Sequence, residues 1–174
     1  MHSSPLVGKI HVFTFKDGLL SSIAHDLRLT LQRFEVLVDG ETVKARFYPA
    51  TLNVDGPMRG GHLDEAGLSA RERREIHGNI CDKILQVDRF PEISFEGQLA
   101  GPSAVRGALT MKGRKVDLTI QVFRRDDGYV GHAELIPSRW GIAPFKALLG
   151  AIRLQDRVRI EFDVTVGRTP QSTS

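Results

Sequence analysis

The chain is short of most features that catalysis or nucleic-acid binding relies on. It has one cysteine, Cys81, in 174 residues, which excludes an internal disulfide and a cysteine-rich zinc site. Aromatic residues make up only 7%, and most are phenylalanines in strand-like runs. Nucleic-acid binders interleave aromatics for stacking with cations gathered on one face. Here the net charge is +3, and the signs are mixed along the chain: Arg124 and Arg125 are followed by Asp126 and Asp127, and Arg71, Arg73 and Arg74 sit among Glu72 and Glu75. That pattern is a solvated mixed surface, so no nucleic-acid partner is expected. No apolar run approaches the roughly 18 residues of a membrane-spanning helix. The longest candidate, 147–152, is bounded by Lys146 and Arg153. Residues 1–8 lack the basic start and the apolar stretch of about 7–15 residues that mark a secretory leader. A cytoplasmic location is therefore expected if the chain is complete, and a periplasmic one if it is a mature form.

Catalytic signatures are equally scarce. There is no G-x-S-x-G nucleophile elbow. The glycine-rich stretch 56–61 (GPMRGG) does not join a strand to a helix as a phosphate-binding loop does. The histidines His2, His11, His25, His62, His77 and His132 include no pair one helical turn apart, as a metal site on a helix requires. His25 and Asp26 are adjacent, and neighbours in a strand point to opposite faces. Cys81 has no activating constellation and reads as a structural thiol. No catalytic residue, metal or cofactor is expected. An enzyme or metal protein remains as the alternative, provided the fold gathers His11, His25 or His132 around one cavity.

What the chain does have is alternation. Val116, Leu118, Ile120 and Val122 alternate with Lys115, Asp117, Thr119 and Gln121; Val158, Ile160, Phe162, Val164 and Val166 alternate with polar residues in the same way. Strict alternation puts one apolar face on a sheet, which favours antiparallel strands with one wet side. Eight strands are expected, at 9–15, 27–38, 42–54, 93–99, 104–111, 115–123, 129–137 and 157–166. Asp39-Gly40 and Asp126-Asp127-Gly128 supply turn chemistry, and Pro49 marks an edge or bulge. Helical spacing appears at 17–25, 69–85 and 144–150; in the second, Ser69 and Glu72 form a capping-box pattern. Such strands close either into a two-sheet sandwich or into a barrel without free edges. One domain at 9–168 is expected, with an N-terminal extension at 1–8 and a flexible tail at 169–174.

Four stretches add a resemblance. DKILQVDRFPEISFEG (82–97), VRGALTMKGRKVDLTIQV (105–122), SRWGI (138–142) and LQDRVRIEFDV (154–164) resemble, in order and spacing, the YceI-like, polyisoprenoid-binding proteins. One departure is visible: Ile84, Leu85 and Gln86 stand where members commonly have two phenylalanines and Asp or Asn. The resemblance implies an all-β, elongated, lipocalin-like barrel of eight antiparallel strands with two or three short helices. It implies an apolar tunnel that carries or sequesters a polyisoprenoid or another long-chain lipid, without catalysis. Phe13, Leu29, Phe95, Leu118, Ile120, Trp140, Phe145 and Phe162 are then the candidate wall. Arg139, Lys146 and Arg153, near the last expected helix, are the candidate head-group contacts. The oligomeric state stays open, a homodimer included.

Overall fold

The alternating segments form strands of one antiparallel sheet. A computed structural model of the chain describes residues 5–17, 25–147 and 152–167. In chain order these hold β1 (Leu6–Lys16), β2 (Leu27–Leu31), β3 (Phe34–Asp39), β4 (Thr42–Phe47), β5 (Leu52–Arg59), β6 (His62–Leu63), helix α1 (Ala70–Gly78), β7 (Ile93–Leu99), β8 (Ala104–Met111), β9 (Arg114–Arg125), β10 (Gly128–Leu135), β11 (Lys146–Ala147) and β12 (Ile152–Val166). The strands are ordered β3-β4-β7-β8-β9-β10-β12-β1-β2-β5-β6, with β11 paired to β12 beside this path. The sheet curls into a half-barrel with its apolar face inward.

Among the described residues the strands number twelve rather than eight, and the difference has a local cause. The two long strands expected at 27–38 and 42–54 each break once. Pro49, which has no N–H to give to a ladder, opens a 3-10 turn at Pro49–Thr51. Four residues of that segment then face only Gln32 and Arg33. The bend keeps its hydrogen bonds: Gln32 N–H donates to the Thr51 carbonyl at 3.2 Å, Tyr48 N–H donates to the Arg33 carbonyl at 3.2 Å, and Arg33 N–H donates to Thr51 Oγ1 at 3.0 Å. The result is a single bent hairpin. Its β3–β4 half begins the strand path and its β2–β5 half lies at the other end of it. The two-residue strands β6 and β11 account for the remaining difference.

The expected helices fare differently. Ser69 caps α1 as the sequence indicates: its N–H donates to Glu72 Oε2 at 2.7 Å, and Glu72 N–H donates to Ser69 Oγ at 3.1 Å. Beyond Gly78 the chain continues as a π turn, Asn79–Ile84, so the glycine does not interrupt it. Arg73 ties the helix to the sheet, donating to the carbonyls of Val54 at 2.6 Å, of Asp55 and of Glu65. Most of the helix expected at 17–25 lies outside the described residues. The one expected at 144–150 is corrected where it is described: Lys146 and Ala147 pair with Arg153 and Ile152 as a strand. The alternation Phe145, Lys146, Ala147 follows a strand's period, and Leu154 N–H donates to the Phe145 carbonyl at 3.1 Å.

Two apolar clusters line the concave side. The larger contains Ala45, Phe95, Val105, Leu109, Met111, Val122, Trp140 and Ile142. The smaller joins Leu27, Leu29 and Val54 to Leu68, with Ile76 and Ile80 packed on it from the helical segment. No helix among the described residues is long and apolar enough to cross a membrane.

Candidate functional site

Between the clusters the sheet does not fill its interior. A cavity of about 660 Å³ runs through it, lined by apolar side chains of β1 to β5, β7 to β10 and β12. The lining follows from strand parity: Leu6, Ile10 and Val12 of β1, Leu118, Ile120 and Val122 of β9, and Val158, Ile160, Phe162 and Val164 of β12 all face it. Two ring positions are fixed by glycines. The Phe95 ring lies across Gly97 and Gly107, where an added Cβ would stand 2.8 and 2.7 Å from its Cζ. The Phe162 ring lies against Gly131, where the same distance would be 2.5 Å. The glycines thus leave room for the rings against the wall, where a Cβ would collide with them.

Six of the expected wall residues, Leu29, Phe95, Leu118, Ile120, Phe145 and Phe162, line this one cavity. Phe13 does not. In β1 the inward set is Ile10, Val12 and Thr14, which leaves Phe13 on the outer face with its ring edge-on to His11 at 6.3 Å. The sequence IHVFTF is apolar on both parities, so ring size pointed to the wrong face. Trp140 is 1% exposed but packs in the larger cluster outside the lining set. Its indole N–H donates to the Leu109 carbonyl at 2.9 Å, as a buried indole requires. It sits in a 3-10 turn, Pro137–Trp140, that ends at Gly141 with φ 76°. Asp156 holds the turn through the Ser138 N–H at 2.9 Å and the Ser138 hydroxyl.

The expected head-group cations are also placed elsewhere. Arg139, Lys146 and Arg153 are exposed and none lines the cavity. Strand alternation turns Lys146 and Arg153 outward while Phe145, Ala147, Ile152 and Leu154 point in. The three suspect histidines are not brought together. His25 lines the cavity. His11 and His132 lie on the outer face, each paired in register with Glu161 from opposite sides of β12. Burial, then the charge of Arg28, lowers the His11 pKa. Among the described residues no group of three or more His, Cys, Asp or Glu side chains is placed to hold a metal ion. Cys81 is buried, with its Sγ 3.6 Å from His77 Nε2. Burial, followed by the negative charges of Asp82 and Asp88, raises its pKa and keeps it a thiol.

Sequence reasoning missed the polar lining residues: Thr14, Glu72, Glu75, Asn79, Gln155 and Arg157. The signal for three of them was present. Leu68, Glu72, Glu75, Ile76, Asn79 and Ile80 fall at helical spacing, which puts both carboxylates on the apolar stripe that faces the cavity. Hydrogen bonds from Ser69, the backbone first and the hydroxyl second, lower the Glu72 pKa. Gln155 and Arg157 reach the lining through an irregularity in β12. Thr14 pairs with Val158 but Lys16 pairs with Leu154, so β12 carries extra residues there, and a bulge of this kind redirects side chains.

Comparison with known proteins gives the following. A family model described as a YceI-like domain matches residues 11–166. Comparison with curated proteins found no match. Among solved structures, the chain is similar to a polyisoprenoid binding domain from Saccharophagus degradans implicated in plant cell wall breakdown, with a TM-score of 0.62 and 8% identity, over 94% of this chain and 97% of that one. It is similar to Burkholderia cenocepacia BcnA, with a TM-score of 0.58 and 15% identity, over 90% and 94%. It is also similar to the Campylobacter jejuni YCEI protein, with a TM-score of 0.55 and 10% identity, over 81% and 85%. At these identities the solved structures establish the fold alone.

Proposed function

The chain belongs to the YceI-like family, and from that premise we propose that its cavity is a tunnel that binds, and so carries or sequesters, a single-chain amphiphilic lipid, a polyisoprenoid above all. The observation that carries this is the continuous apolar lining, drawn from nearly every strand of the sheet. An apolar chain needs few specific contacts. Each buried methylene contributes about 0.8 kcal/mol, so ten of them contribute about 8 kcal/mol before the chain's ordering cost is subtracted. At about 30 Å³ for a water-sized group, which a methylene matches in size, a cavity of about 660 Å³ takes a chain of roughly twenty carbons. A longer chain would run out through the mouth. Leu29, Phe95, Leu118, Ile120, Phe145 and Phe162 are the proposed wall contacts.

In this reading the bent hairpin is the seam of the tunnel. Its β2 and β3 act as one bent strand, and its β4 and β5 as another. The lining is then an elongated, lipocalin-like tunnel. The activity proposed is binding without turnover; among the described residues no three His, Cys, Asp or Glu side chains are grouped to hold a metal ion. The test is denaturing solvent extraction of the purified protein after incubation with a mixture of single-chain lipids, with the extract read by mass spectrometry. One chain-type lipid recovered per protein is expected. A folded protein that takes up none of them would refute the proposal.

A further inference from the structure

The hairpin turns of the sheet differ in charge from one end to the other. β9 runs from Arg114 to Arg125, so the turns before and after it stand at opposite ends. At the far end the turns are acidic: Asp39 and Glu41 flank Gly40 between β3 and β4, and Asp126 and Asp127 lead into β10. At the near end the β8–β9 turn is basic, with Lys112, Arg114 and Lys115 around Gly113. Lys112 holds φ 50° at the first place of a two-residue turn, where Asn or Asp is favoured. The far turn does place an aspartate there, Asp126 at φ 48°. Turn geometry therefore does not call for the lysine.

Two further segments bring cations to the basic end. In the Trp140 turn, Arg139 Nη1 donates to the Asp117 carbonyl at 3.4 Å. The Arg114 guanidinium lies beside Gly141, where an added Cβ would stand 3.0 Å from its Cζ. Beyond that turn, Lys146 and Arg153 are both exposed and face each other across the β11–β12 pair, although like charges directly opposite are destabilising. None of Lys112, Arg114, Lys115, Arg139, Lys146 and Arg153 joins an ion pair among the described residues. The remaining residues of the sequence include no Asp or Glu. Of the carboxylates at this end, Asp156 is held by Ser138 and Asp26 by the Lys16 N–H. Glu92 pairs with Arg46 and Asp64 with Arg59, while α1 sets Arg71 and Arg74 beside Glu72 and Glu75. Asp88 and Asp117 offset part of the positive charge. An apolar opening lies among the cations: Ala143 and Pro144 line the cavity and are also exposed, and nearby Ile136 is 46% exposed.

Resting on the tunnel reading for that opening, we propose that the basic end docks on the surface of an anionic lipid bilayer, so that a lipid passes between bilayer and tunnel. Charge complementarity selects the partner, because basic residues beside an anionic leaflet are attracted to it. The exposed apolar side chains between Arg139 and Lys146 suit the headgroup boundary. A nucleic acid would match the cations and leave those side chains in water.

The test is cosedimentation of the whole chain with vesicles of phosphatidylcholine, or of phosphatidylcholine and phosphatidylglycerol in equal parts, in low and in high salt. The variant K112Q/R114Q/K146Q/R153Q is compared with K9Q/K44Q/R106Q/R124Q, which removes the same charge from exposed positions elsewhere on the sheet. Thermal melts verify both folds. The native chain should prefer the mixed vesicles by at least about tenfold, and high salt should abolish the preference. Each basic residue near such a surface contributes about fivefold. The first variant should therefore lose at least about tenfold and the second less than about threefold. No preference for the mixed vesicles, or equal losses in the two variants, would overturn the docking surface. A native chain that ignores the vesicles but binds duplex DNA through the same four cations would replace the membrane with a nucleic acid. These vesicles contain no isoprenoid alcohol, so a chain that sediments as predicted yet takes up no alcohol would overturn the tunnel and support the docking.

Discussion

Replacing Ile120 with Phe separates an open tunnel from a solid core. Ile120 sits in the middle of β9, opposite Val105 of β8, and points inward. It nevertheless remains half-buried, because its remaining exposure faces the cavity. Phenylalanine adds no polar atom and suits a strand, so only volume changes. In a filled core the added ring would force neighbours off their rotamers at about 1–3 kcal/mol. For a chain of this length each kcal/mol moves the melting temperature by about 2–4 °C, so a solid core predicts a fall of several degrees. In a tunnel the ring enters open space, and the melt should shift by less than about 2 °C. The cost then appears in binding. A ring that displaces about two methylenes of ligand removes about 1.6 kcal/mol, or about fifteenfold in Kd. Differential scanning calorimetry and a lipid titration on the same variant read both quantities. A destabilised variant whose parent never took up lipid would refute the reasoning.

Further expectations follow from single contacts. Ile160→Asp places a carboxylate on the lining beside Val12 and Ala133, where an unpaired charge is strongly disfavoured; an unchanged melt in this variant would contradict the inward assignment of β12. Asp156→Ala removes both acceptors of the Ser138 turn and should cost about 1–3 kcal/mol, read as a lower denaturation midpoint in urea with the same slope. Cys81, buried and with a raised pKa, should react with iodoacetamide at pH 8 more than tenfold slower in the folded protein than in urea, and equal rates would place it at the surface. The Ser69 N–H and hydroxyl hold the Glu72 carboxyl below the ordinary carboxylate pKa, so it contributes stability above that ordinary value which is lost as the pH falls through the lowered one; Glu72→Gln should remove this acid slope from the helical circular dichroism, and a slope unchanged in the variant would show that another group causes it.

The parts of the fold that alternate strictly could be read from the sequence. The runs around Ile120 and Ile160 have one apolar parity and no competitor, so strand, facing and partner class all followed. Where both parities are apolar, as at Ile10, Val12, Phe13 and Phe15, alternation is ambiguous, and only the register with β12 and β2 decides that Phe13 is outside. The break at Gln32 and Arg33 carries no turn signal of its own. It is imposed across the ladder by Pro49 in the partner strand, a non-local cause. Residues 146 and 147 had suitable helical neighbours, yet pairing with β12 outweighed a propensity worth only tenths of a kcal/mol per residue. The cavity's apolar composition was visible in the residues, while its mouth was not. Glu72 was legible as a cap, and its place in the cavity lining depends on where the helix is laid over the sheet.

Native mass spectrometry of the intact chain equilibrated with the twenty-carbon isoprenoid alcohol tests the tunnel most directly. One molecule bound per chain is predicted, with occupancy falling about fifteenfold in Ile120→Phe at matched subsaturating concentration. A folded chain with its native melt that carries no bound alcohol at saturating concentration would contradict the assignment of the cavity as a lipid-binding tunnel.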